Sequence, residues 1–291
     1  MNIRLYNSSG WLVINGNFYK SLYLLGLCTP DDFLNVGGII INGNADRHVR
    51  QIYLPGIGIA YLKREHRIRY SNKSKNYIYN GLFISRCCYE GKILHFLSTK
   101  TNLIPQWIAY GENDRKQAFL LLMSLYSIEN IINYLKINAV NIKCIARSLG
   151  AELARLNNIG ISTSHITLNH TFINTVTKQL YFLDWESYRK STTKFLNGIL
   201  HTIKNIYTGL CNYKYDINIQ SFMRYFIESY LSLIKRTYIE STIITKYADS
   251  LAKLNNIYEL RKSHITPSKK TIKLVWLYDE NVCITPDGSE W

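Results

Sequence analysis

Residues 160–185 read GISTSHITLNHTFINTVTKQLYFLDW, and the fold is decided there. Gly160 ends a helical pattern at the place of a C-terminal cap, where positive φ is needed. A polar loop follows with His165, Asn169 and His170. The apolar piece Thr171 to Ile173, a polar turn over Asn174 to Lys178 and the apolar run Leu180 to Leu183 predict a hairpin. The second run stops at Asp184. A carboxylate at the mouth of a buried strand is costly unless a cation or hydrogen-bond donors meet it.

A cation is available upstream. Ile39 to Ile41, His48 to Leu54 and Ile59 to Arg64 are separated by the turn signals Asn42-Gly43-Asn44 and Pro55-Gly56-Ile57-Gly58. They predict three antiparallel strands, the third carrying Lys63 after an apolar run. No GxGxxG pattern accompanies the first turn. A helix is expected over Leu82 to Leu97 and places Glu90 within it, with Gly91 weakening it by about 1 kcal/mol. Arg64 to Asn80, between them, is basic and polar. Ile104 to Glu112 reads as loop, strand and turn, and Gln117 to Leu125 as a continuous buried strand. A helix is expected from Ser127, as N-cap, to Leu135. The connection near Met123 and Leu125 suits a hinge at which adenine would bond backbone groups. Asn141 to Leu156 carries apolar residues at helical spacing. Phe195 to Cys211, Ile219 to Tyr238 and Ile243 to Leu260 are also helix-like. The first 35 residues fit either a hairpin or a strand with a short helix. The tail, Leu274 to Tyr278 and Val282 to Pro286, reads as a last hairpin.

The composition, 47% hydrophobic and 19% charged, is that of a globular protein. Lys and Arg total 35 against 20 Asp and Glu, a net +15, which favours anionic partners. The six cysteines, Cys28, Cys87, Cys88, Cys144, Cys211 and Cys283, form no CxxC pair, so free thiols in a reducing cytosol are expected. No signal peptide is apparent. The longest apolar run, Phe119 to Met123, falls far short of the ~20 residues a membrane span needs. A cytoplasmic protein, or one peripheral on the inner face of the membrane, is expected.

Helix, polar loop, hairpin and terminal Asp, behind a strand lysine and a helical glutamate, resemble the lipopolysaccharide core kinases (the Kdo and heptose kinase family). The resemblance covers roughly 36–235 and rests on Tyr61-Leu62-Lys63-Arg64-Glu65, Glu90, Ile108 to Glu112, Ala118-Phe119-Leu120, Gly160-Ile161, His170 and Leu183-Asp184-Trp185-Glu186. Lys204 to Tyr207, Phe222 to Phe226 and the tail are also similar. It implies an α+β, two-lobed, protein-kinase-like fold. A small antiparallel-sheet N-lobe would span 1–124 and a mainly helical C-lobe 125–291. It implies ATP held by Lys63 and Glu90 with backbone groups near Met123 and Leu125, and Mg²⁺ at Asp184 and His170. Two positions depart from the pattern. Thr163-Ser164-His165 stands in register with His-Arg-Asp, so His165 replaces the catalytic aspartate. Asn205 replaces an acid that braces the catalytic loop.

The leading expectation is an ATP-dependent phosphotransferase acting on a sugar hydroxyl of an anionic membrane glycolipid, with His165 and Asp184 as catalytic residues. The alternative is a pseudokinase serving as a binding or regulatory module. Aminoglycoside and choline phosphotransferases, branches of the same fold, stay open. Nucleic-acid binding has the least weight, because no basic motif is interleaved with aromatics.

Overall fold

Seven strands form one antiparallel sheet in the computed structural model. It describes residues 2–7, 9–71, 73–74, 77, 83–138, 141–188, 195–212, 218–234, 242–251, 274–276 and 282–284. The strands are β1 (Asn2–Asn7), β2 (Gly10–Asn15), β3 (Ile39–Gly43), β4 (Arg47–Leu54), β5 (Gly58–Glu65), β6 (Trp107–Asn113) and β7 (Ala118–Met123). Their order across the sheet is β1-β2-β6-β7-β5-β4-β3.

Side chains alternate along β5, so its two faces carry different jobs. Ala60 and Leu62 enter an apolar core with Phe33, Leu34, Phe119 and Leu121. The short helices α1 (Tyr19–Leu24) and α2 (Pro30–Asn35) contribute to that core. Phe33 stacks on Phe119 with ring centres 4.5 Å apart. Arg64 points the same way, is buried, and donates to the Phe33 and Val36 carbonyls at the end of α2. It caps the C-terminal end of α2. Lys63 faces the other side, which α3 (Arg86–Leu97) covers.

The first 35 residues combine the two arrangements left open by the sequence: β1 and β2 pair as a hairpin, and two short helices follow. β6 runs on to Asn113 instead of turning at Glu112. α3 begins at Arg86, with the Ser85 hydroxyl accepting the Cys88 N–H at 3.2 Å. Residues 83–85 are not helical, and 81–82 lie outside the described residues.

The helix expected from Ser127 is corrected. Ser127 takes φ +53°, and Ile128–Asn130 form a strand, β8, paired with β9 (Thr171–Asn174). The helix α4 (Ile131–Ile137) starts later, capped by the Asn130 side chain. Strand pairing across the fold outweighs a local capping signal. β9 also pairs with β10 (Leu180–Phe182), the hairpin expected before Asp184.

The remaining described part of this region is mainly helical: α5 (Ile142–Asn158), α6 (Phe195–Cys211), α7 (Ile219–Leu233) and a helix over 242–251. The expected helix Ile219 to Tyr238 ends at Leu233, and 235–241 lie outside the described residues, as do 252–260 of the last one. Gly160 (φ +81°) closes α5. Its N–H reaches the Asn157 carbonyl at 3.0 Å and that of Ile161 reaches Leu156 at 2.9 Å, the paired bonds of a Schellman cap.

Met1–Asp249 forms the larger folding unit and Ser250–Trp291 a smaller one. In the smaller unit β11 (Leu274–Trp276) pairs antiparallel with β12 (Val282–Ile284). Residues 277–281 and 285–291, including the expected ends of this hairpin, lie outside the described ones.

Candidate functional site

α3 is aimed by acids from the sheet. The Glu65 carboxylate at the end of β5 accepts the Arg86 and Cys87 N–H groups at 3.1 and 3.4 Å. The Glu112 carboxylate, from β6, accepts the Ser85 N–H at 2.6 Å and the Lys73 ammonium at 2.8 Å. Carboxylates at a helix N-terminus meet unpaired N–H groups and the positive end of the helix dipole. Burial still pushes the Glu65 acid up from its ordinary value. Gly91 brings the helix flat onto β6, since a Cβ there would stand 2.5 Å from the Tyr110 ring.

So placed, Glu90 is only 1% exposed and takes both of its bonds from Lys63, at 2.8 and 2.7 Å. Burial works to lower the Lys63 ammonium, but Glu90, then Asp184, outweigh it and raise it. Asp184 leaves β10 in the left-handed region, φ +60° and ψ +68°, a backbone state that costs a non-glycine residue energy. The next residue fixes it: Trp185 is fully buried and donates its indole N–H to the Phe182 carbonyl at 2.7 Å. The Tyr89 hydroxyl of α3 donates to the Tyr188 carbonyl at 2.5 Å, tying helix and loop.

Glu186 pairs with Arg47 at 2.5 Å. Oxygens of Glu90, Asp184 and Glu186 all lie within 4.8 Å of one another, a hard-oxygen set of the kind Mg²⁺ takes. Glu90 is held by Lys63 and Glu186 by Arg47, so Asp184 is the carboxylate of the three without a Lys or Arg ion pair among the described residues. The His170 Nε2 stands 3.6 Å from the Asp184 Oδ2. For nucleotide phosphates the fit is partial. Lys63 faces the site, but the β3–β4 loop spends its donors on itself. The Asn44 N–H bonds the Arg47 carbonyl at 2.7 Å, and the Asp46 and Arg47 N–H groups both bond the Asn44 side chain at 3.0 Å.

The loop after α5 holds His165 differently from a catalytic aspartate. Its ring lies 4.8 Å from Trp185 and 5.7 Å from Tyr188, centre to centre. Both ring nitrogens are buried with no hydrogen-bond partner among the described residues. Burial lowers its pKa to about 4, with Asp184 offsetting part of the effect. The brace below it is rebuilt from neutral groups. Asn205 donates its amide to the Ser164 carbonyl at 2.9 Å, and the Thr163 and Thr202 hydroxyls bond at 2.9 Å.

Lys63, Glu90, Asp184 and His170 therefore meet at one site, and His165 lies beside it under two aromatic rings. At the connection after β7, the Met123 N–H is used by the Gln106 carbonyl (2.9 Å) and the Ser124 N–H by the Ile59 carbonyl (3.0 Å). Leu125 is half-buried. Arg47 and Glu186 join the site, Arg47 without having been singled out in the sequence and Glu186 quoted there only within the Leu183 to Glu186 motif. Glu186, two residues after Asp184, carried a positional signal. Arg47 carried only its place beside a turn.

No protein-family model and no curated protein matches the chain. Among solved structures it is similar to the pseudokinase domain of BIR2, titled an immune regulator of the RLK/Pelle family. The identity is 11% and the TM-score 0.39, over 73% of this chain and 72% of that one. The described residues are α+β: an antiparallel sheet with its lysine–glutamate pair, followed by a mainly helical part.

Proposed function

We propose that the chain is a kinase-like binding module, a pseudokinase that keeps the lysine–glutamate pair and the metal-side aspartate and lacks a base. The His165 ring carries this reading. An aspartate at that place accepts the proton of the substrate hydroxyl and orients it. A ring with both nitrogens walled off accepts none. The self-bonded loop over 43–47 supports the same reading, since it offers phosphate no backbone cradle.

A second reading is favoured by the Lys63, Glu90 and Asp184 geometry. It is an ATP-dependent phosphotransferase similar to the lipopolysaccharide core kinases, with Asp184 and His170 holding Mg²⁺. Its acceptor would be a sugar hydroxyl of a membrane glycolipid, met at the cytosolic face. Bound Mg-ATP would supply the phosphoryl group, and losing a general base typically slows such a step about 10²–10⁴-fold. Transfer from Mg-ATP to glycolipid acceptors, measured on wild type, Lys63→Ala and His165→Asp, separates the two. The module reading expects wild type to match Lys63→Ala. Wild-type transfer that Lys63→Ala abolishes overturns it. A thermal shift with ATP, with and without Mg²⁺, reports binding separately, since ligand at 100 times its Kd stabilises by about 2.7 kcal/mol.

A further inference from the structure

A basic cavity of about 610 Å³ opens where the chain leaves β5, beside the β6–β7 turn. Arg67, Arg69, Arg115 and Lys116 line it, with His66 and Tyr70. The one acid in its wall, Asp46, is already paired with Arg69. Arg67, Arg115 and the Lys116 ammonium have no carboxylate partner among the described residues. Like charges facing one cavity repel, and an anion between them relieves that cost.

The cations stand on anchored backbone. The Ile68 N–H bonds the Lys116 carbonyl at 3.0 Å and the His66 N–H bonds the Asp46 carbonyl at 2.8 Å. The turn is pinned by Asn113, whose amide donates to Asp31 at 2.7 Å and to Gln117 at 2.9 Å. Lys116 itself is held at φ +59°. Beside the cations lie exposed aromatics. Tyr70 is 76% exposed and meets Phe83 edge-on, ring centres 5.3 Å apart. Phe83 is exposed as well.

We infer that this cavity and its aromatic rim dock the protein on an anionic membrane, seating a phosphate-bearing lipid headgroup among Arg67, Arg69, Arg115 and Lys116. Lys and Arg attract anionic lipid, and amphipathic rings settle at headgroup level. A nucleic acid calls for a basic track along several nucleotides, whereas these cations converge on one cavity of small-ligand size. The site stands whether or not Lys63 binds nucleotide.

The test is co-sedimentation of the full chain with vesicles of phosphatidylcholine, alone or mixed with phosphatidic acid. Wild type is expected on the anionic vesicles only. Replacing Arg67, Arg115 and Lys116 with Gln is expected to weaken binding on the order of 100-fold, from about fivefold per cation. Tyr70→Ser keeps every charge and is expected to weaken it less. Replacing the exposed Lys20, Lys92 and Lys100 with Gln removes the same charge elsewhere and is expected to change binding little. Thermal melts check that each variant is folded. Equal losses in the two triple variants, or no wild-type binding, overturn the proposal. So does tighter binding to an oligoribonucleotide, or to soluble glycerol 3-phosphate, than to the anionic vesicles.

Discussion

The imidazole of His165 packs edge-on against both Trp185 and Tyr188, with no acceptor for a second proton among the described residues. Its folded pKa, about 4, lies below the unfolded value near 6.5. Above pH 6.5 neither state is protonated and stability is at its full value. As pH falls towards 4 the unfolded chain takes up a proton that the folded chain refuses, so stability drops by roughly 2–3 kcal/mol. Urea unfolding at about pH 7 and pH 4.5 should show that drop, and His165→Phe should reduce it. Burial also lowers His48, His66 and His95, which keep a residual slope in the variant. Lys63 obeys a harsher rule. Lys63→Ala strands the buried Glu90 carboxylate and should cost about 3–5 kcal/mol in chemical unfolding. Lys63→Met with Glu90→Leu should recover most of the loss, and no recovery would mean that the cost is not that of an unpaired Glu90 carboxylate.

α3 shows what an element owes to distant residues. Helix propensity alone gives Gly91→Ala a gain of about 1 kcal/mol. The Tyr110 side-chain atoms 2.5–2.8 Å from the new Cβ reverse the sign, and the variant should lose about 1–3 kcal/mol by denaturant unfolding. Strands and the hairpin before Asp184 are legible because a half-buried strand must alternate or run apolar. The start of α3 is not, since Glu65 and Glu112 set it from two strands. Nor is β8 legible, because its partner β9 lies more than 40 residues away. Residues 1–35 carry little pattern of their own, yet extend the sheet with β1 and β2 and cover it with α1 and α2.

On the scale of the whole molecule, one ion pair, Arg47 with Glu186, joins the sheet to the loop after Asp184. Removing Arg47 frees a carboxylate within 4.8 Å of Asp184 and Glu90. Arg47→Ala should therefore show a larger thermal shift with Mg²⁺ alone than wild type; an equal shift would mean that Glu186 takes no metal. Lys63, Glu90, Asp184 and His170 were legible because each ends or punctuates an apolar run or polar loop. The ion pair was not, because its halves are 139 positions apart and Arg47 has nothing that marks it locally beyond its place beside a turn. The same holds for the burial of His165, which depends on how Trp185 and Tyr188 fold over it. The account turns on that burial, and a proton NMR titration of the histidine rings, with His165 assigned by its loss in His165→Phe, tests it directly. The ring is expected to stay neutral down to about pH 4 and to ignore added Mg-ATP. A midpoint near 6.5 that moves when Mg-ATP is added would put the imidazole within reach of the phosphates and contradict the account.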